Sequence, residues 1–148
     1  MLYLLTIIPL AVMMLSDWKT RTVSILWLSV FFVSVACCSI FVNGLRGAAI
    51  YMAMNLTLLL IIGLALYVYS AIRKKRLGEM IGVGDALFFA SLTPIAEPEI
   101  FIKLLVGMLI FSLLSWLILR KKLNPGNIPL VTFSGLPLIG IIVYKMLA

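Results

Sequence analysis

Apolar residues fall in six runs along the chain: Leu2 to Ser16, Val23 to Val42, Ala48 to Ile72, Ala86 to Ile95, Phe101 to Leu119 and Val131 to Leu147, with polar or charged clusters between them. No run alternates at period two, as the strands of a membrane barrel would. Continuous apolarity instead predicts helices, because backbone amides in hydrocarbon must find their partners within their own segment. The expected fold class is all-α, a polytopic membrane protein built as a bundle of about six transmembrane helices. The first and fourth runs are shorter than the roughly 20 residues that cross a bilayer core. Each is expected to begin or end within the membrane's thickness, where water can approach a group near its end.

Composition strengthens this picture. Of 148 residues, 64% are hydrophobic and 11% are charged, and the mean hydropathy is +1.24. A soluble domain of this size could not enclose so much apolar surface in one core, so lipid is the expected partner of the outward faces. No stretch is polar and long enough to form a second domain, and residues 1–148 are expected to be a single membrane-embedded unit. Leu2 to Ser16 has no basic region before it and no small-residue cleavage site after it, so it is read as a retained helix.

Charge then sets orientation. The net charge of +7 does not point to nucleic acid, because the basic residues sit in short clusters between apolar runs. Lys19 and Arg21 follow the first run, Arg73 to Arg76 the third, and Arg120 to Lys122 the fifth; these account for nine of the twelve Lys and Arg residues. The positive-inside rule places those loops in the cytoplasm and both termini outside. Histidine is absent, so neither a Ser-His nor a Cys-His arrangement can form. The adjacent Cys37 and Cys38 lack the spacing of a zinc site and are read as apolar packing.

The sequence contains two aspartates, Asp17 and Asp85, and each lies where an apolar run meets the cytoplasmic side. Taken singly, Asp17 could pair with Lys19 or Arg21, and Asp85 could cap the fourth helix. Together they place two carboxylates on one membrane face. If the helices are neighbours, repulsion between like charges leaves the pair holding one proton. Such a pair can activate water with its ionised member and protonate a peptide carbonyl with the other, needing neither metal nor cofactor. Gly82 and Gly84 precede Asp85 and are expected to allow close backbone approach and unusual dihedrals.

Asp17-Trp18-Lys19 and Gly82-Val83-Gly84-Asp85 together resemble the paired motifs of the type IV prepilin peptidases, within the G-x-G-D group of intramembrane aspartyl proteases. The likeness spans nearly the whole chain: an Asp-x-Lys/Arg motif shortly after the first helix, a Gly-x-Gly-Asp motif opening the fourth, and a shared cytoplasmic side. It implies that Asp17 and Asp85 are catalytic, with Lys19, Gly82 and Gly84 as supporting motif residues. It also implies an aspartic endopeptidase of a bacterial or archaeal cytoplasmic membrane. The substrate would be a prepilin-like protein whose short basic leader is removed at the cytoplasmic face. The cysteine-bearing cytoplasmic segment of larger members has no counterpart here, so the likeness is to the peptidase-only form. The chain departs from the family where Val23-Ser24-Ile25 stands in place of Ile-Pro-Asn, and where Ala86-Leu87 follows Asp85 without the usual lysine. Phe133-Ser134-Gly135-Leu136-Pro137 is loosely similar to a late Gly/Pro-rich segment.

Two other readings stay open at this point. Ser134 with Lys122 or Lys145 would be a Ser-Lys dyad. A non-enzymatic carrier, assembly subunit or inactive relative would use Asp17 and Asp85 for a cation or for ion pairs. Glu79, before Gly82, is read as a solvated loop residue.

Overall fold

In a computed structural model, which describes residues 4–20, 24–73, 82–119 and 130–147, the apolar runs fold into helices. They are α1 (Leu4–Thr20), α2 (Ile25–Arg73), α3 (Val83–Ser91), α4 (Pro98–Leu119) and α5 (Leu130–Leu147). There is no strand among the described residues.

The expected loop between the second and third runs shrinks to one residue. Helix continues through Asn43 and resumes at Leu45, and Gly44 between them has φ 73° and ψ 166°. That conformation is open to glycine and strained for any residue with a Cβ. The break reverses the chain. In a straight helix Phe31 and Asn55 would stand about 36 Å apart. Yet Phe31 stacks on Phe88 at 5.9 Å between ring centroids, while Asn55 bonds to the carbonyl of Thr93, a few residues beyond Phe88. Both arms of α2 therefore lie against α3 and the turn that follows it.

Helix ends follow local chemistry. Pro98 occupies the first turn of α4, where its missing N–H costs nothing, and the Glu97 carbonyl accepts from Phe101 N at 2.9 Å. Helix α3 stops at Ser91 and passes into a turn holding Pro94, which cannot extend it. The carbonyls freed there are taken up by Asn55, whose Nδ2 donates to Thr93 O and Ala96 O, both at 2.8 Å.

The core draws on every helix. Leu10 and Met13 of α1, Leu28, Phe31 and Val35 of α2, Phe88 of α3, Phe101, Leu105 and Met108 of α4, and Val131, Leu138 and Ile142 of α5 form one buried cluster. Their spacings of three, four and seven residues each mark one helical face. The opposite faces are apolar too, with Ile25, Phe41, Leu64 and Ile118 among the exposed side chains. Helix α2 and residues Pro98–Ile118 of α4 are long and apolar enough to cross a membrane, and only 22% of each apolar window is buried inside the fold. The core helix of a water-soluble protein would be mostly enclosed, so these outward faces are suited to hydrocarbon.

Candidate active site

Helix α1 runs on past Ser16 to Thr20, so Asp17 sits inside its last turns rather than after its end. Helix α5 packs against α1 in the opposite direction. The C-terminal part of α1 meets the start of α5 through Trp18 and Phe133, whose rings are edge-to-face at 6.3 Å. The N-terminal part reaches the other end, where Thr6, Leu138 and Ile142 border one cavity. The helices approach closely at Gly135, where a Cβ would lie 2.5 Å from Met14 Sδ and the Met14 side chain would have to shift.

This crossing decides what Asp17 does locally. Its side chain is 5% exposed. Thr132 N donates to Asp17 Oδ2 at 2.9 Å, and Thr132 Oγ1 lies 3.0 Å from the same oxygen and 3.0 Å from Met14 O. Thr132 is the third residue of α5, where amides have no partner within the helix. Asp17 thus caps α5 from a neighbouring helix, with its charge at the positive end of the helix dipole. Lys19, the expected motif companion, is exposed, and Thr132 rather than Lys19 holds the carboxylate.

Asp85 lies in the first turn of α3, immediately before the apolar stretch that begins at Ala86. Gly82 is the N-cap, so Asp85 is the third helical residue, and its carboxylate accepts from the Gly82 amide. This is the returning half of a capping box. Gly82 has φ −68° and ψ 142°, an extended conformation open to any residue. The expectation of unusual dihedrals is therefore corrected at this position. What glycine supplies is room, since a Cβ there would stand 3.0 Å from Asp85 Oδ2. Gly84 lies inside the first turn and is half-buried.

The two carboxyl groups act on one another. The charge of Asp17 acts on the half-buried Asp85 carboxyl, which the Gly82 amide faces. Their helices share supports, for α1 and α3 each pack against α2 and α5. The site thus joins the Asp17 carboxyl group, held by Thr132, to a second, half-buried carboxyl group at the start of α3, an arrangement in which one proton can be shared.

Other candidates lie elsewhere. The Ser134 hydroxyl is buried with no hydrogen-bond partner among the described residues. Lys122 is outside the described residues, as are Arg21, Lys74, Lys75, Arg76, Glu79, Arg120 and Lys121, and the side chain of Lys145 is likewise outside them. Cys37 is exposed and Cys38 buried, both as free thiols. A cavity of about 240 Å³ bordered by Tyr51 and Glu97 lies away from the carboxyl pair, with neither aspartate in its lining. Thr132 was not singled out by sequence. The available signal was a hydroxyl residue opening the last apolar run just after a basic loop, on the same side as both aspartates.

No protein-family model, curated protein or solved structure matches the chain.

Proposed function

We propose that the chain is an intramembrane aspartyl endopeptidase of the prepilin-peptidase type, with Asp17 and Asp85 as its catalytic pair. The observation that carries this reading is the electrostatic interaction of the only two aspartates in the sequence, distant along the chain, one held by Thr132 and the other half-buried at the start of α3. Ionised Asp17 withdraws a proton as water attacks the scissile carbonyl, and protonated Asp85 donates to the carbonyl oxygen. Collapse of the tetrahedral intermediate breaks the C–N bond: the leaving amine takes up the proton held by Asp17, and a hydroxyl of the intermediate returns its proton to Asp85 as the carbonyl re-forms.

In this reading the arms of α2, together with α1, α3, α4 and α5, make six membrane-inserted segments. The basic clusters lie in the cytoplasm and both termini outside. The carboxyl pair then opens at the cytoplasmic face, and the substrate is a prepilin-like protein with a short basic leader ahead of an apolar helix. A second reading has support in the same geometry. Asp17 caps α5 and Asp85 caps α3, roles that a non-catalytic relative would keep.

Cleavage of a leader-bearing prepilin-type substrate by the purified protein in lipid vesicles separates the two. Wild type is expected to cut, with Asp17→Asn and Asp85→Asn each slowing cleavage by at least about a hundredfold. Both variants should stay folded, because asparagine retains a capping oxygen. Full activity in either variant would refute the pair, and failure of wild type on a panel of such substrates would favour the non-catalytic reading.

A further inference from the structure

The Thr132 hydroxyl has one proton and two acceptors, Met14 O and Asp17 Oδ2, each at 3.0 Å. Two arrangements satisfy those distances. In one, the hydroxyl proton goes to Oδ2, which then receives two donors from Thr132, the hydroxyl and the amide at 2.9 Å. In the other, the hydroxyl donates to Met14 O and must receive a proton from Asp17 in return. The amide weighs against the second arrangement. An N–H has no alternative to donating, and a carboxylate oxygen is a far better acceptor than the hydroxyl oxygen of a protonated acid. Met14 O also belongs to the α1 backbone ladder and does not depend on Thr132 for a partner.

We infer that Thr132 is the positioning residue that holds Asp17 as the ionised, base member of the pair, gripping Oδ2 so that Oδ1 serves the attacking water and the shared proton resides on Asp85. This inference rests on the peptidase reading and adds to it which aspartate is base, which is acid, and which residue keeps them so. Among the described residues the charged groups around Asp17 are few. Asp85 faces it from α3, and Lys19 is exposed on its own helix. Arg73, at the end of α2, lies over the Tyr69 ring at 5.7 Å. The described side chains of α5, residues 131–142, include no titratable group.

Two variants test this in the full chain in lipid. Thr132→Val removes the hydroxyl while keeping the amide and the shape, and Thr132→Ser restores the hydroxyl. With a prepilin-type substrate, Thr132→Val is expected to lower kcat about 10- to 100-fold with KM within about twofold, as loss of a bond to a charged catalytic group would. Thr132→Ser should recover most of the rate. A purely structural link would not give that split or that rescue. An independent readout uses the scarcity of aspartate. In an Asp85→Asn background, carbon-13-labelled aspartate reports on Asp17 alone by infrared spectroscopy. At neutral pH a carboxylate stretch is expected, shifted in frequency by Thr132→Val and returned by Thr132→Ser.

A carboxyl rather than a carboxylate band with Thr132 present, or a band that ignores Thr132→Val, would overturn the hold even if the protein cleaves prepilin. Equal losses of kcat in the valine and serine variants would overturn the role of the hydroxyl. A wild-type protein that cuts nothing while the band responds to Thr132→Val would remove the peptidase reading, and with it the base assignment, and leave only a structural cap.

Discussion

At Asp17 the Oδ2 oxygen meets Thr132 N at 2.9 Å and Thr132 Oγ1 at 3.0 Å. Asp17→Ala removes the acceptor that caps α5 and should destabilise the fold by about 1–2 kcal/mol, measured by unfolding in mild detergent, whereas Asp17→Asn, which keeps a capping oxygen, should lose less. The aspartates were legible in sequence because there are only two and each flanks an apolar run. Thr132 was not, because hydroxyl residues are common in this chain and its contact with Asp17 spans 115 positions. Gly82 was half legible. Its closeness to Asp85 was expected, but the reason is space for a carboxyl oxygen and not backbone freedom.

At the scale of the helices, the element with the most leverage is the reversal in α2. No atom lies within 4 Å of where a Cβ would sit on Gly44, so a substitution there meets no neighbour. Its cost comes from φ 73° alone. Gly44→Ala should destabilise by about 1–3 kcal/mol, measured by unfolding in mild detergent, and larger side chains should cost little more. Losses that grew steeply with side-chain size would instead point to crowding beyond the Cβ. The sequence marked this position as a boundary, since Asn43, Gly44, Arg46 and Gly47 interrupt the apolar pattern. It could not reveal that helix would resume after one residue, because a single backbone torsion leaves no trace in hydropathy. Asn55 also escaped notice, although a lone asparagine in the apolar run from Ala48 to Ile72 is a signal, for such a group seeks a partner inside the protein.

For the molecule as a whole, the exposed surface of α2 and α4 is apolar on faces that the fold does not cover. The all-helical architecture was legible from unbroken apolar runs, whereas the packing order was not, because helices that are apolar all round give no indication of which face turns inward. The paired cysteines offer a probe of what surrounds that surface. Cys37 is exposed and Cys38 is buried. In a bilayer, lipid around Cys37 excludes the water that thiolate chemistry needs. A membrane-impermeant maleimide should then leave both thiols unlabelled in vesicles and label them after denaturation, read as a mass shift. Rapid labelling of Cys37 in the folded protein would place that face in water.

The attachment made by Asn55 has a mechanical meaning at this scale. Its two bonds fasten the far end of α3, beyond Ser91, to α2, while Asp85 stands near the opposite end of a nine-residue helix. Phe88, stacked on Phe31, fixes the middle of the same helix to the other arm of α2. Helix α3 is thus clamped to both arms at once, so any spreading of the arms about Gly44 is felt at Asp85.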